Sequence, residues 1–359
     1  MTETRKIVIT GTHITPAVEL IHQLQNDRQI DWQIYYIGRR YNSSVHPESS
    51  IESKIIPQNK VKFYGILCGK FDRRWLLNTL NGLPQIISGL KDSFQLLKKI
   101  NPHLIVSFGG YVSVPVIIAG WLQKIPSITH EQTHTLSLST KINALFCHYI
   151  ALSFPAPVSS DRYIVTGNLL RREIFNPHST FFEKQKIDLK KYPLIYLTAG
   201  NQGSHHLNLT LKKLLPILSQ NFTLIHQTGQ KDFATYKKLS TKFPHYQAHN
   251  YINSIDIGWI FHHLKLIISR AGANTTQEIA TLNLNSIIIP LLVSQQNEQL
   301  KNALWLQKKI PKNTIIIKDP ELTPELLSNS INKLLNKKRI SSSDSPSPNL
   351  KLLKLIKRL

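Results

Sequence analysis

Short β-branched runs alternate with amphipathic segments along this chain, and each run closes on a glycine or polar loop. KIVIT (6–10) is followed by PAVELIHQLQ (16–25), with Pro16 in a first turn that tolerates it. WQIYYIG (32–38), HLIVSFGG (103–110) and IPSITHEQ (125–132) predict further strands, and VPVIIAGWLQ (114–123) a helix. This alternation implies an α/β fold with a doubly wound parallel sheet. The pattern restarts after VTGNLLRREIF (165–175). LIYLTAGNQG (194–203), FTLIHQTG (222–229), LKLIISRAGA (264–273) and NSIIIPLL (285–292) predict strands and their loops, while HLNLTLKKLLPIL (206–218) and TTQEIATLN (275–283) predict helices.

The 359 residues therefore divide into a first domain over 1–165 and a second over 166–338. RISSSDSPSPN (339–349) reads as a linker, and LKLLKLIKRL (350–359) as a basic amphipathic tail. Leu352, Ile356 and Leu359 share one face of that tail, with Lys351, Lys354 and Arg358 opposite. The tail either docks on its own protein or rests on a membrane surface. In sheets of this kind ligands sit beyond the carboxyl ends of the strands, and with two domains the cleft between them is the expected site.

Charge narrows the partners. The formal balance is +23, of which +16 falls on residues 171–359. Such a field attracts phosphorylated substrates, anionic lipid or polyanions. The excess is mostly Lys, a hydrated point charge rather than the bidentate phosphate reader that Arg is. There is no zinc-finger spacing, RNP-like aromatic motif or base-reading basic helix, so nucleic-acid binding is not expected. Cys68 and Cys147 are too few for a disulfide framework or a four-thiolate metal site. Neither a secretory signal nor an apolar run of about 18–20 residues is present, so the expected location is the cytosol or a membrane surface. The segment 71–102, with Arg73, Arg74 and Trp75, reads either as a surface helix pair or as a basic and aromatic face for anionic lipid.

Candidate chemistry clusters at strand ends. Thr10-Gly11-Thr12-His13 enters the first helix and places a titratable imidazole in a loop. Gly109-Gly110-Tyr111 allows backbone close to a ligand or simply makes a tight turn. His130-Glu131-Gln132 is either acid/base equipment or a brace for a loop. Gly200-Asn201-Gln202-Gly203-Ser204 resembles a phosphate cradle without matching either common glycine motif. Arg270-Ala271-Gly272-Ala273 precedes a helix expected to start near Asn274 or Thr275, with Glu278 in its first turn. A helix start beside Arg suits a diphosphate, and Glu278 suits ribose hydroxyls or the helix dipole. Gln295, Gln296, Glu298 and Gln299 form a polar cluster suited to hydroxyl recognition or to solvent.

Taken in order, these segments resemble the MurG family over about residues 6–330. The resemblance is carried by GTHITPA (11–17), FGGYVSVP (108–115), IPSITHEQ (125–132), TGNLLRREIF (166–175), AGNQGSHHLN (199–208), HQTG (226–229), SRAGANTTQEIA (269–280) and QLKNA (299–303). It implies a GT-B fold: two Rossmann-like doubly wound parallel-sheet domains facing a central cleft. The implied activity is inverting transfer of N-acetylglucosamine from UDP-N-acetylglucosamine to undecaprenyl-pyrophosphoryl-N-acetylmuramoyl-pentapeptide. That reaction belongs to peptidoglycan synthesis, at the cytoplasmic side of the cell membrane, with no metal or cofactor.

By the same resemblance, Arg171 and Arg270 lie near the donor diphosphate, Asn201 in the phosphate-side loop, and Ala273, Asn274 and Thr275 at the helix start. Ile252 meets uracil through its backbone, Glu278 holds the ribose, and Gln299 with Glu298 holds the sugar. Thr10, Gly11, Thr12, Gly109, Gly110, Tyr111, Glu131 and Thr133 form the acceptor side. His13 is the candidate base. The chain departs from the family pattern in its glycine-poor first loop, and in Thr133 and Thr140, where the family has Asn. Another GT-B enzyme using UDP-N-acetylglucosamine, such as an epimerase, and a non-catalytic nucleotide-sugar or lipid-binding module are the competing readings.

Overall fold

The computed structural model of the chain describes residues 3–41, 49–67, 76–155, 160–185, 187–200, 202–292, 297–337 and 348–359. The chain divides into two units, Met1–Leu169 with Pro346–Leu359, and Leu170–Ser345.

The first unit is built on seven parallel strands: β1 (Glu3–Gly11), β2 (Ile30–Arg39), β3 (Lys62–Ile66), β4 (Leu104–Phe108), β5 (Ser127–Glu131), β6 (Tyr149–Leu152) and β7 (Tyr163–Val165). Their order is β3-β2-β1-β4-β5-β6-β7. Helices α1 (Ile14–Gln25), α2 (Ile51–Gln58), α3 (Leu76–Ile100), α4 (Ser113–Leu122) and α5 (Leu138–Asn143) connect them. β4 and β5 are buried along their whole length, as strands covered on both faces must be. α1 begins at Ile14, because His13 is extended (φ −89°, ψ 93°) and acts as its N-cap. Ala17, Leu20, Ile21 and Leu24 then recur at helical spacing and point into the core. The strand order reverses between β1 and β4, so the loops that follow these strands open a crevice.

The second unit repeats the plan with β8 (Leu194–Thr198), β9 (Thr223–Gln227), β10 (Tyr246–His249), β11 (Leu264–Ser269), β12 (Ser286–Ile288) and β13 (Thr314–Ile316), ordered β10-β9-β8-β11-β12-β13. Its helices are α6 (His205–Asn221), α7 (Gln230–Leu239), α8 (Ser254–His263), α9 (Ala273–Thr281), α10 (Glu298–Lys309) and α11 (Pro324–Leu335). Strand alternation splits the core cleanly. Leu194, Tyr196, Ile225 and Ile267 pack on one face, and Ile195, Leu197, Leu224 and Ile268 on the other. The topological switch lies between β8 and β11.

The tail is α12 (Pro348–Lys357), and it belongs to the first unit. Leu352, Leu355 and Ile356 are buried in one cluster with Ala17, Leu20 and Leu24. Lys357 pairs with Asp27 at 2.8 Å, and the Asn349 amide donates to Glu19 at 3.1 Å. The apolar stripe of the tail is therefore core and is not available to lipid. Most of the Ser/Pro linker, and Arg73, Arg74 and Trp75, lie outside the described residues.

Candidate active site

In the first unit, three loops meet beyond the ends of β1, β4 and β5. Gly11 has φ +133°, and a Cβ there would meet the Phe108 carbonyl carbon at 2.8 Å. Gly110 has φ +80°, and a Cβ there would overlap the Thr12 side chain. Both positions therefore need glycine. Thr12 N–H donates to Gly109 O at 3.1 Å, and Gly110 N–H donates to the Ser139 hydroxyl at 3.1 Å. Thr10 is buried at the end of β1. Beneath the glycine pair, the Asn143 amide donates to Ser113 at 2.9 Å and to Thr129 at 3.3 Å, and Ser107 accepts from Gly109 N–H at 3.1 Å. This buried network fixes the turn from below.

His13, His130 and Glu131 are the titratable groups of this cluster. His130 is buried, with Nε2 bonded to Gly167 O at 3.0 Å, and burial lowers its pKa to about 4. Burial alone would raise the Glu131 pKa. Bonds from Ser137 N–H, Thr140 and both Thr133 donors outweigh it and hold the carboxylate ionised. Thr133 and Thr140, the two departures from the family pattern, thus meet at one carboxylate. His13 is exposed in surface area, but surrounding protein desolvates it enough to lower its pKa; the charge of Glu131 pulls the other way. It makes no side-chain cap bond.

In the second unit, Arg171 forms a bidentate pair with Glu278 across 107 residues of sequence, at 2.8 and 2.9 Å. Glu278 is 1% exposed. It lies in the second turn of α9, not the first as expected, because the helix already starts at Ala273 with Gly272 as its N-cap. Gly272 has no side chain with which to cap that start, and Ala273, Asn274 and Thr275 form the positive end of the helix dipole.

Arg270 is held by three partners. Its guanidinium is committed to Ile289 O at 3.1 Å, Ser204 Oγ at 2.6 Å and Asp319 at 2.5 Å. It brackets the loop that opens α6. Ile252 N–H is likewise committed, to Gln227 Oε1 at 3.2 Å. The same Gln227 accepts from the Tyr196 hydroxyl and donates to Gly200 O at 3.0 Å, so one side chain sets two loops. Gln299 accepts from Leu291 N–H at 3.0 Å, and Glu298 opens α10. Asn201, Gln295 and Gln296 lie outside the described residues.

Residues 8–152 match the glycosyltransferase family 28 N-terminal domain, and residues 194–359 match its C-terminal domain. The UDP-N-acetylglucosamine–N-acetylmuramyl-(pentapeptide) pyrophosphoryl-undecaprenol N-acetylglucosamine transferase of Borreliella burgdorferi is 34% identical over 91% of this chain and 85% of its own length. The chain belongs to the MurG family. The transferase of the same name from Clostridium kluyveri is 28% identical over 92% of this chain and 91% of its own length. Among solved structures, Acinetobacter baumannii MurG superposes with a TM-score of 0.74 at 21% identity, covering 99% of this chain and all of that one. A UDP-GlcNAc 2-epimerase from Methanocaldococcus jannaschii shares the fold, with a TM-score of 0.64 at 13% identity, covering 99% of both chains. The GT-B class expected for a MurG relative is therefore the fold observed. Sequence reading missed Arg39, Glu52, Asn143 and Asp319, which act through partners distant in sequence and carry no local motif.

Proposed function

We propose that the chain transfers N-acetylglucosamine, with inversion, from UDP-N-acetylglucosamine to undecaprenyl-pyrophosphoryl-N-acetylmuramoyl-pentapeptide, the lipid I to lipid II step of peptidoglycan synthesis. The observation that carries this reading is the 34% identity to the Borreliella burgdorferi transferase over 91% of the chain. The epimerase likeness, at 13% identity, speaks to the fold alone.

The chemistry needs a base for the acceptor hydroxyl and stabilisation of the departing diphosphate. His13 takes the proton, and the ionised Glu131 favours the imidazolium that forms. The loops of Thr10, Gly11, Thr12, Gly109, Gly110, Tyr111 and Thr133 receive the acceptor. The start of α9 at Ala273, Asn274 and Thr275, together with Arg171, stabilises the diphosphate through dipole and charge. Glu278, fixed by Arg171, offers its carboxylate to the ribose, the Ile252 backbone meets uracil, and Glu298 and Gln299 bind the sugar. Arg270 supports the donor side by holding Ser204, and Asn201 joins the same loop. With UDP-N-acetylglucosamine and the lipid-linked muramoyl acceptor, UDP release is expected only when both are present, with one lipid-linked disaccharide per UDP. Isomerised UDP-sugar without lipid product would overturn the reading.

Among the described residues no helix is long and apolar enough to cross a membrane. Trp121 is 51% exposed and Leu145 74%, and the Trp121 ring meets Phe146 edge-on at 5.2 Å. Lys124 and Lys141 are exposed near these side chains in sequence. Apolar side chains beside lysines suit the surface of an anionic membrane, where the lipid acceptor is anchored. Vesicles rich in anionic lipid are expected to recruit the protein at low salt. The double variant Trp121→Ser, Leu145→Ser should weaken recruitment roughly tenfold or more. Equal recovery on neutral vesicles would count against the electrostatic part.

A further inference from the structure

Arg39 ends β2, one strand away from β1, yet its guanidinium reaches the turn that follows β4. Nε and Nη2 donate to the two Glu52 oxygens at 2.8 and 3.1 Å. Glu52 is 1% exposed, so the fork is locked in one plane. Ser50 anchors the arrangement. Its hydroxyl donates to Arg39 O at 2.6 Å and accepts from Ser53 N–H at 3.1 Å, capping α2, the helix that carries Glu52. From this fixed position the guanidinium lies 5.8 Å from the centroid of the Tyr111 ring.

Tyr111 directly follows two glycines at positive φ, a turn in which neither residue contributes a side chain to brace it. Its ring needs a clamp from elsewhere. We infer that Arg39, locked by Glu52, is a positioning residue that orients Tyr111 and so sets the affinity for the lipid-linked pyrophosphoryl acceptor. The inference rests on the transferase reading and adds to it a residue pair on a different strand and helix. A lysine cannot replace the fork, because its ammonium has no plane with which to hold a carboxylate and an aromatic ring at once.

The test is steady-state kinetics on the full chain, varying each substrate in turn. Arg39→Lys is expected to raise KM for the lipid acceptor about tenfold and to leave KM for UDP-N-acetylglucosamine within about twofold. Tyr111→Ala should raise the acceptor KM by at least as much, and adding Arg39→Lys to it should do nothing further, since both act through one ring. Glu52→Gln keeps the shape and one accepting oxygen. It should raise the acceptor KM severalfold, and it provides the reading if Arg39→Lys does not fold. An unchanged acceptor KM in folded Arg39→Lys and Glu52→Gln would reduce the pair to a structural role, and multiplicative effects in the double variant would overturn the route through Tyr111. Absence of lipid-linked disaccharide from the unaltered chain would instead remove the transferase reading itself, before any substitution is compared.

Discussion

Replacing His13 with alanine is expected to lower kcat by about 10²–10⁴-fold in a chain that still folds. Folding should survive because the side chain is exposed and makes no cap bond to α1. Activity should not, because its neighbours cannot substitute. His130 is enclosed with Nε2 on Gly167 O, and Glu131 spends its oxygens on Ser137, Thr140 and Thr133. Desolvation lowers the His13 pKa from its ordinary 6.5, with Glu131 opposing, so the imidazole is neutral and ready to accept a proton at neutral pH. The acid limb of kcat/KM should accordingly fall below about pH 6.5. Glu131→Gln should shift that limb lower still and slow turnover, since the attraction that stabilises the imidazolium is lost. The measurements are UDP release with the lipid acceptor and a thermal melt of each variant. Near-normal turnover in folded His13→Ala would remove the residue from the mechanism.

The parallel core was legible because strands such as β4 and β8, covered on both faces, read as nearly unbroken apolar runs. The two edge strands of the second unit were not. β10 is Tyr-Gln-Ala-His, and β13 has only three residues, too little pattern to separate from a loop. The glycine loops were legible because they close those apolar runs. What they hold was less so. Arg171 finds Glu278 at a separation of 107 residues, and Arg270 finds Asp319 on a different loop. No periodicity records such pairing, so a sequence reading places both arginines without their carboxylate partners. The tail shows the same limit. Its amphipathic pattern fits a lipid surface or a protein core equally well, and only the packing of Leu352 and Ile356 beside Leu20 decides for the core.

Acidification from about pH 6.5 to 5 is expected to cost the protein several kcal/mol of stability, chiefly through three histidines held neutral. Burial lowers His226 to about 3 and His130 to about 4; burial and then Lys237 lower His249 to about 4. For His226 the geometry explains the direction. The Asn208 amide donates to Thr228 O and Asp232, so its oxygen accepts from His226 Nε2–H at 2.9 Å. The bare Nδ1 accepts from the Tyr246 hydroxyl at 2.8 Å, which leaves no direct anionic partner for a second proton. Each folded pKa lies below the unfolded value of 6.5, so below that pH the unfolded chain binds protons that the folded chain refuses. Stability is therefore full above about 6.5 and falls as pH drops toward each folded pKa, by about 1.4 kcal/mol per pH unit per group. With His249 only partly buried, the three together give about 3–4 kcal/mol per unit, against a typical total of about 5–15. Asp27, Glu131 and Asp232, all held below their ordinary range, extend the loss in the same direction at lower pH. Urea melts between about pH 7.5 and 5 measure the slope. His226→Gln can still accept from Tyr246 and donate to Asn208 but does not titrate, so it should flatten the slope by roughly one third. A stability that stays level from pH 7 to 5 would mean that these imidazoles take up protons in the folded state, and the buried neutral tautomer assigned to His226 would be wrong.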